Sequence, residues 1–104
     1  MAGGLAKMMK EAQKLEKRLE DVRKRLVEMT VEGSSGGGAI RITMNGQRDV
    51  LNVSVDKSVL EDGDAEMLED LLLTALRDVK QKSDELASTE MSKVAGPGLP
   101  PGII

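Results

Sequence analysis

The sequence predicts an α+β protomer with one long N-terminal helix, a three-stranded antiparallel β-meander and one long C-terminal helix. Three observations predict this fold class. Apolar residues keep a heptad spacing over residues 5–29, then alternate with polar residues on both sides of an Asn-Gly pair, and return to helical spacing after residue 64. A length of 104 residues without an internal repeat indicates a single domain, which we place at residues 1–95.

The first helix is predicted over residues 5–29 because its apolar residues are spaced alternately three and four apart, as in a coiled coil. In a parallel homodimer, Glu11 would face Glu16 of the other copy, and Arg18 would face Arg23, so both pairs would repel. An antiparallel mate is therefore favoured, either the last helix of the same chain or that of a neighbouring chain. The apolar seam consists of Leu5, Met8, Ala12, Leu15, Leu19, Val22, Leu26 and Met29.

Three strands are expected after this helix. The segments 40–44 and 51–55 alternate apolar and polar residues, and Asn45-Gly46 between them predicts a hairpin, because both residues tolerate positive φ. A short strand near residues 30–32 precedes a glycine-rich stretch, residues 33–38, that we interpret as a flexible connection. The three strands would share one apolar face.

The last helix is predicted to begin after Asp64, a plausible N-cap, with Glu66 in its first turn. Its broad apolar stripe is expected to cover the sheet, and beyond Val79 the stripe thins, so the end of the helix is free to project. The Pro/Gly-rich residues 96–104 are predicted to form a flexible tail. The stripe consists of Leu68, Leu71, Leu72, Ala75, Leu76 and Val79, followed by Leu86, Ala87 and Met91.

The composition argues against several classes of function. The chain has no histidine and no cysteine, which removes the commonest general acid–base, the commonest metal ligand and all thiolate chemistry. The glycine-rich stretch lacks the Gly-Lys-Ser/Thr ending of a P-loop. We therefore expect no enzyme, metal, cofactor or small-molecule substrate. No apolar run approaches the roughly 20 residues that cross a bilayer, so we expect an intracellular protein without a membrane partner.

The charge distribution is uneven. The whole chain has a net charge of −3, yet residues 1–30 hold eight Lys/Arg against five Asp/Glu. Five lysines lie on the face opposite the seam: Lys7, Lys10, Lys14, Lys17 and Lys24. This stripe is either an ordinary solvated helix surface or a surface for duplex DNA, whose phosphates release counterions when they are neutralised. Without aromatic residues there is no stacking platform for single strands.

Four stretches resemble one known family. They are "LAKMMKEAQKLEKRLE", "VEGSSGGGAIRITMNG", "VSVDKSVLEDGDAEMLEDLL" and "LPPG". In this order they resemble the YbaB/EbfC family of bacterial nucleoid-associated proteins. The resemblance implies a tweezer-like homodimer with protruding helices that binds duplex DNA in the cytoplasm, at the nucleoid, and affects nucleoid organisation and gene expression.

The resemblance also implies that the N-terminal helix contacts DNA phosphates. The candidate residues are Lys7, Lys10, Lys14, Lys17, Arg18, Lys24 and Arg25, and weaker candidates on the last helix are Arg77, Lys80 and Lys82. The alternative is a protein–protein adaptor that uses its helical rods without binding DNA, which the acidic pI and the heptad seam also suit. In either case, two long helices on a small sheet leave apolar surface that predicts a homodimer.

Overall fold

The predicted fold class is confirmed by the computed structural model, which describes residues 2–95. The chain forms helix α1 (Ala2–Glu28), strands β1 (Thr30–Ser35), β2 (Ile40–Asn45) and β3 (Val50–Val55), a short helix α2 (Lys57–Glu61) and helix α3 (Ala65–Ala95). The strands form an antiparallel sheet in the order β1-β2-β3. The molecule is a rod of 72 × 21 × 17 Å. The predicted tail, residues 96–104, lies outside the described residues.

The first core lies between the sheet and the N-terminal half of α3. Ile40, Ile42 and Met44 of β2 pack against Ala75 and Val79 of α3. Helix α3 approaches β1 so closely that a Cβ atom at Gly33 would collide with Val79. The interpretation of residues 33–38 as a flexible connection is therefore wrong for residues 33–35, which belong to β1. The connection to β2 is only the tight turn 36–39, in which Gly36, Gly37 and Gly38 all have positive φ.

The second core joins the C-terminal part of α1 to the C-terminal part of α3. Val22 and Leu26 of α1 are buried against Ala87 and Met91 of α3. The antiparallel mate of α1 is thus the last helix of the same chain, which was one of the two predicted mates. The end of α3 does not project alone, because residues at the thinned part of its stripe pack against α1.

One helix serves both cores because its buried face turns along its length. The buried residues of α3 follow one another at every fourth position, and each step of four residues advances about 40° around a helix with 3.6 residues per turn. The buried face therefore rotates from the sheet, past the hairpin between β2 and β3, to α1. These residues are Ala75, Val79, Ser83, Ala87 and Met91.

The hairpin is longer than the Asn-Gly pair predicts. Asn45 ends β2, and Gly46–Asp49 connect it to β3, with a β-bulge beside Thr43 and Met44. Positive φ occurs at Arg48, at 68°, and not at Asn45 or Gly46. Gly46 is required for a different reason, since a Cβ atom there would lie 2.6 Å from Cδ2 of Leu26 and 2.9 Å from its carbonyl oxygen.

The remaining predictions for the C-terminal half are met in part. Asp64 is the N-cap of α3, because its Oδ1 accepts a hydrogen bond from the Met67 N–H at 3.1 Å. Helix α2, which is capped in the same way by Asp56, was not predicted. The apolar face of the sheet is incompletely covered, since α3 packs on β1 and β2 and leaves β3 exposed.

Candidate nucleic-acid interface

The N-terminal part of α1 extends beyond the other described residues of the protomer. Every side chain of residues 3–18 is exposed, and burial begins only at Leu19, where α1 meets α3. We call residues 3–18 the free half of α1 and residues 19–28 the packed half. At 1.5 Å per residue the free half projects by about 24 Å. A continuous helix thus offers one end to the solvent on all sides.

The net positive charge of α1 lies entirely in the free half. The free half holds five cations, Lys7, Lys10, Lys14, Lys17 and Arg18, against the carboxylates of Glu11 and Glu16. The packed half holds three cations and three carboxylates. Since the chain as a whole is acidic, the free half is the region where a polyanion would meet the least repulsion.

The four lysines of the free half form one stripe. They follow one another at intervals of three, four and three residues, which places them on one face, about 15 Å from first to last. Successive phosphates of one DNA strand are about 3.4 Å apart along the axis, so the stripe matches the length of about four of them. Arg18 lies at the edge of this face, beside the seam.

The cations of the free half have no carboxylate partners within the described part of the chain. No carboxylate oxygen of residues 2–95 lies within 4.0 Å of their charged nitrogens, whereas Lys24 Nζ in the packed half lies 3.6 Å from Oε1 of Glu20. Both members of that pair are exposed, so the pair contributes little. Arg25 is exposed and also unpaired among residues 2–95. The structure therefore separates Lys24 from the other six predicted residues.

Of the weaker candidates on α3, Lys82 has a structural role. Its Nζ donates to the Glu32 carbonyl oxygen at 2.9 Å and lies 3.3 Å from Oδ2 of Asp78. The Ser34 N–H donates to the same carboxylate, and together with Lys82 it holds the pKa of Asp78 below its ordinary value. These bonds tie α3 to β1, so Lys82 is not available to a ligand without loss of those contacts.

Arg77 and Lys80 are exposed on the outer face of α3. They line a shallow groove in which Asp84 and Glu85 balance their charge. This face therefore attracts an anion less than the free half of α1 does. Among residues 2–95, no group of acidic residues is placed to hold a metal ion, and no helix is long and apolar enough to cross a membrane.

Among the exposed apolar side chains of the described residues, two groups lie on α1 and β3. The first is the seam side of the free half, where Leu5 is 63% and Met8 68% exposed. The second, which we call the β3 patch, consists of Val50 and Val53 on β3. Val53 pairs with the buried Ile42 and shares its face of the sheet. Sequence reasoning predicted leftover apolar surface but not its location, which depends on α3 covering two strands out of three.

Comparisons with known proteins agree with this architecture. The chain is 41% identical to a protein named nucleoid-associated protein from Ruminiclostridium cellulolyticum. The aligned 94 residues cover 90% of this chain and 82% of the relative. A second protein of that name, from Acetivibrio thermocellus, is 37% identical over 94 residues, with 90% and 83% covered. The crystal structure of an uncharacterized Helicobacter pylori protein has the same fold, with a TM-score of 0.78 at 21% identity, covering 88% of this chain and 96% of that one.

The family comparison covers almost the whole chain. The model of the YbaB/EbfC DNA-binding family matches residues 1–99, which include both long helices and the sheet. This is a family of DNA-binding proteins and not of enzymes, in agreement with the expectation from the composition. The protein described here belongs to the YbaB/EbfC DNA-binding family.

Proposed function

We propose that the protein binds duplex DNA of the bacterial nucleoid as a homodimer, mainly through contacts between DNA phosphates and the free half of α1. The observation that carries this proposal is the separation of charge along α1. The half that projects is the half with the excess of cations, and those cations are exposed and unpaired within the described residues. The relatives' name, nucleoid-associated protein, supports a place at the nucleoid. In this proposal the protein acts in the cytoplasm and affects nucleoid organisation and gene expression.

The chemistry of the stripe favours phosphate contacts over base readout. Lysine is a flexible point charge, whereas bidentate recognition of a base edge is typical of arginine, asparagine and glutamine. The stripe contains four lysines and no side chain of those three types. Each neutralised phosphate releases counterions, so we expect binding to weaken steeply with salt and to depend little on sequence.

All seven predicted residues remain candidates, and the structure suggests an order among them. Lys7, Lys10, Lys14 and Lys17 lie on the unpaired stripe, and Arg18 lies beside it. Lys24 has a competing partner in Glu20, and both Lys24 and Arg25 lie where α1 is electrically balanced. We therefore expect these last two to contribute less.

The homodimer is supported by the β3 patch. Strand β3 is an edge strand whose apolar residues are about half exposed, with Val50 at 48% and Val53 at 49%. Edges of this kind are normally covered or paired. A second copy related by a twofold axis would cover the patch in both protomers and place two free halves in one particle. Replacing Val53 with Asp should favour the monomer in light scattering, whereas Val27→Asp on α1 should not.

The proposal is tested by removing charge in two places. The variant Lys10→Ala/Lys14→Ala/Lys17→Ala takes three charges from the free half. The control Arg41→Ala/Lys57→Ala/Lys93→Ala takes three exposed charges from elsewhere, so the two proteins have the same net charge. We expect the first variant to lose at least tenfold in affinity for unrelated duplexes at low salt and the control to lose less than threefold. Equal losses would show that only the net charge matters.

The adaptor remains a second candidate because of one observation, the exposed apolar seam of the free half. Leu5 and Met8 of the seam, and Met9 beside it, are each more than half exposed, and an apolar surface of this kind fits the groove of a protein partner. A parent protein that fails to retard duplex DNA at low salt would favour this function. Retardation of several unrelated duplexes would favour the first.

A further inference from the structure

We propose that residues 45–49, which we call the hairpin segment, hold α1 at a fixed angle to α3, and that Asn45, Gly46 and Gln47 are therefore positioning residues for the DNA contact. The inference rests on the proposed function only for its last step. The geometric step concerns the protomer alone and can be tested without DNA.

The hairpin segment satisfies the C-terminal end of α1. The last four carbonyl groups of a helix have no partner within the helix. The Gly46 N–H donates to the carbonyl of Leu26 in the last turn of α1 at 2.9 Å, and also to that of Met29, just after the helix, at 3.0 Å. Nδ2 of Asn45 donates to the Val27 carbonyl at 3.2 Å. A loop from the sheet thus supplies the cap that a side chain or glycine motif of the helix itself usually supplies.

A longer contact extends further up the helix. Nε2 of Gln47 donates to the carbonyl oxygen of Arg23 at 3.1 Å, one turn before the end of α1. Contacts at two levels of a helix restrict its tilt, whereas contacts at one level leave it free to pivot. Gly46 brings the loop to this distance, because any side chain there would meet the backbone oxygen of Leu26.

The same segment is bonded to α3. Ser83, which is fully buried, donates from Oγ to the Asn45 carbonyl oxygen at 2.8 Å. Next to it, Nε of Arg48 lies 3.2 Å from Oδ1 of Asp84. The segment therefore lies between the two long helices and holds each of them.

The segment is also internally fixed. Oδ1 of Asn45 accepts hydrogen bonds from the N–H groups of Gln47 at 2.9 Å and Asp49 at 3.0 Å. Its Nδ2 donates to Oδ2 of Asp49 as well as to α1. The amide of Asn45 thus uses both of its donors and its acceptor oxygen while the residue is only 2% exposed. Loops held in this way transmit the orientation of the sheet to whatever they contact.

The angle affects DNA binding because, among residues 2–95, the free half of α1 is supported only by the packed half. Lys7 lies 15 residues before Val22, the first fully buried residue of α1, so the distance along the helix is about 22 Å. A tilt of about 20° at the packed end would move Lys7 by about 8 Å, more than the axial spacing of two phosphates on one strand. A stripe that keeps its angle can match several phosphates at once.

The test measures a distance between α1 and α3 that changes with the angle between them. The chain has no cysteine, so spin labels can be placed at Gln13→Cys on α1 and Ser88→Cys on α3, both exposed and neither one of the seven candidate contact residues. Labelled protein diluted with unlabelled protein gives the distance within one chain. The variants are Asn45→Ala and Gln47→Ala. Their controls are Asn52→Ala and Gln81→Ala, which remove the same side-chain types from exposed positions on β3 and α3.

We expect the distance distribution to at least double in width in Asn45→Ala, to broaden less in Gln47→Ala, and to keep its parental width in both controls. We expect DNA affinity to fall three- to tenfold in Asn45→Ala. If that variant does not fold, Gln47→Ala/Ser83→Ala replaces it, since it cuts one bond on each side. A folded variant with the parental distribution would overturn the proposal, and so would a broadened one that binds DNA as the parent does. A parent that binds no DNA would refute the proposed function, and the distances would still decide the geometric step.

Discussion

The two halves of α1 share one heptad seam but have opposite surroundings. In the packed half, Val22 and Leu26 are buried to 1% and 0% exposure, and the charges balance. In the free half, Leu5 and Met8 occupy the same kind of seam position yet are more than 60% exposed, and cations prevail. The spacing therefore predicts a helix, but which part of that helix is buried depends on how much of α1 is covered by α3.

The difference arises from how α3 is used. The first half of α3 covers the sheet and only its second half meets α1. A helix of 31 residues divided in this way cannot also accompany 27 residues of α1. The part of α1 that α3 does not cover projects, and its excess of cations favours contact with a polyanion.

The largest expected effect is on the free energy of unfolding, which should fall for a substitution in the packed half but not for one in the free half. Leu26→Ala should lower the free energy of unfolding by about 2–5 kcal/mol, since it leaves a cavity between α1 and α3. Leu5→Ala, at an exposed seam position, should change it by less than about 0.5 kcal/mol. Urea unfolding followed by circular dichroism measures both. Similar losses in the two variants would mean that the free half is packed in solution.

Two glycines should also distinguish the packed half from the free half. Gly46→Ala should cost about 1–3 kcal/mol, because the new methyl group meets Leu26 at the end of the packed half. Gly4→Ala in the free half has nothing within 4 Å and should stabilise slightly, by up to about 1 kcal/mol, because alanine favours helix. Thermal unfolding should therefore shift in opposite directions.

Single lysines should also distinguish the halves. Lys14→Ala should weaken DNA binding by about threefold, since each phosphate contact contributes a modest electrostatic gain. Lys24→Ala should change it by less than twofold, because Glu20 already competes for that charge. Fluorescence anisotropy at one fixed salt concentration measures both affinities. A larger loss at Lys24 would move the contact toward the packed half.

The smallest expected effect is on the pH dependence of stability, and it concerns the contact between α3 and β1 at Asp78. The pKa of Asp78 is lowered by the Ser34 N–H and by Lys82. The carboxylate therefore contributes stability above its unfolded pKa of about 3.9, and this contribution is lost as the pH falls through its lower folded value. Asp78→Asn should make the decline of stability with acid less steep below about pH 4. An unchanged acid profile would contradict the contact.

The sequence predicts features that arise from neighbouring residues better than features that arise from contacts between residues far apart in the chain. The two long helices, the three strands, their order and the Asp64 cap are local patterns, and the structure confirms them. Helix α2 was not predicted, and the seam is packed only from Leu19 onward. The assignment of Gly33 to a strand and the reason for Gly46 depend on close approaches by α3 and α1, which no local pattern contains. Likewise, the lysines of α1 could be placed on one face from their spacing. That only residues 3–18 lie free depends on where α3 ends.

The central claim is that the cations of the free half neutralise DNA phosphates. It is tested most directly by the slope of log affinity against log salt concentration for the parent and for Lys10→Ala/Lys14→Ala/Lys17→Ala. Each lost phosphate contact should flatten the slope by about 0.9, so three lost contacts per protomer should flatten it by about 2.7 for each protomer that binds. A triple variant with the parental slope would show that these lysines do not contact DNA.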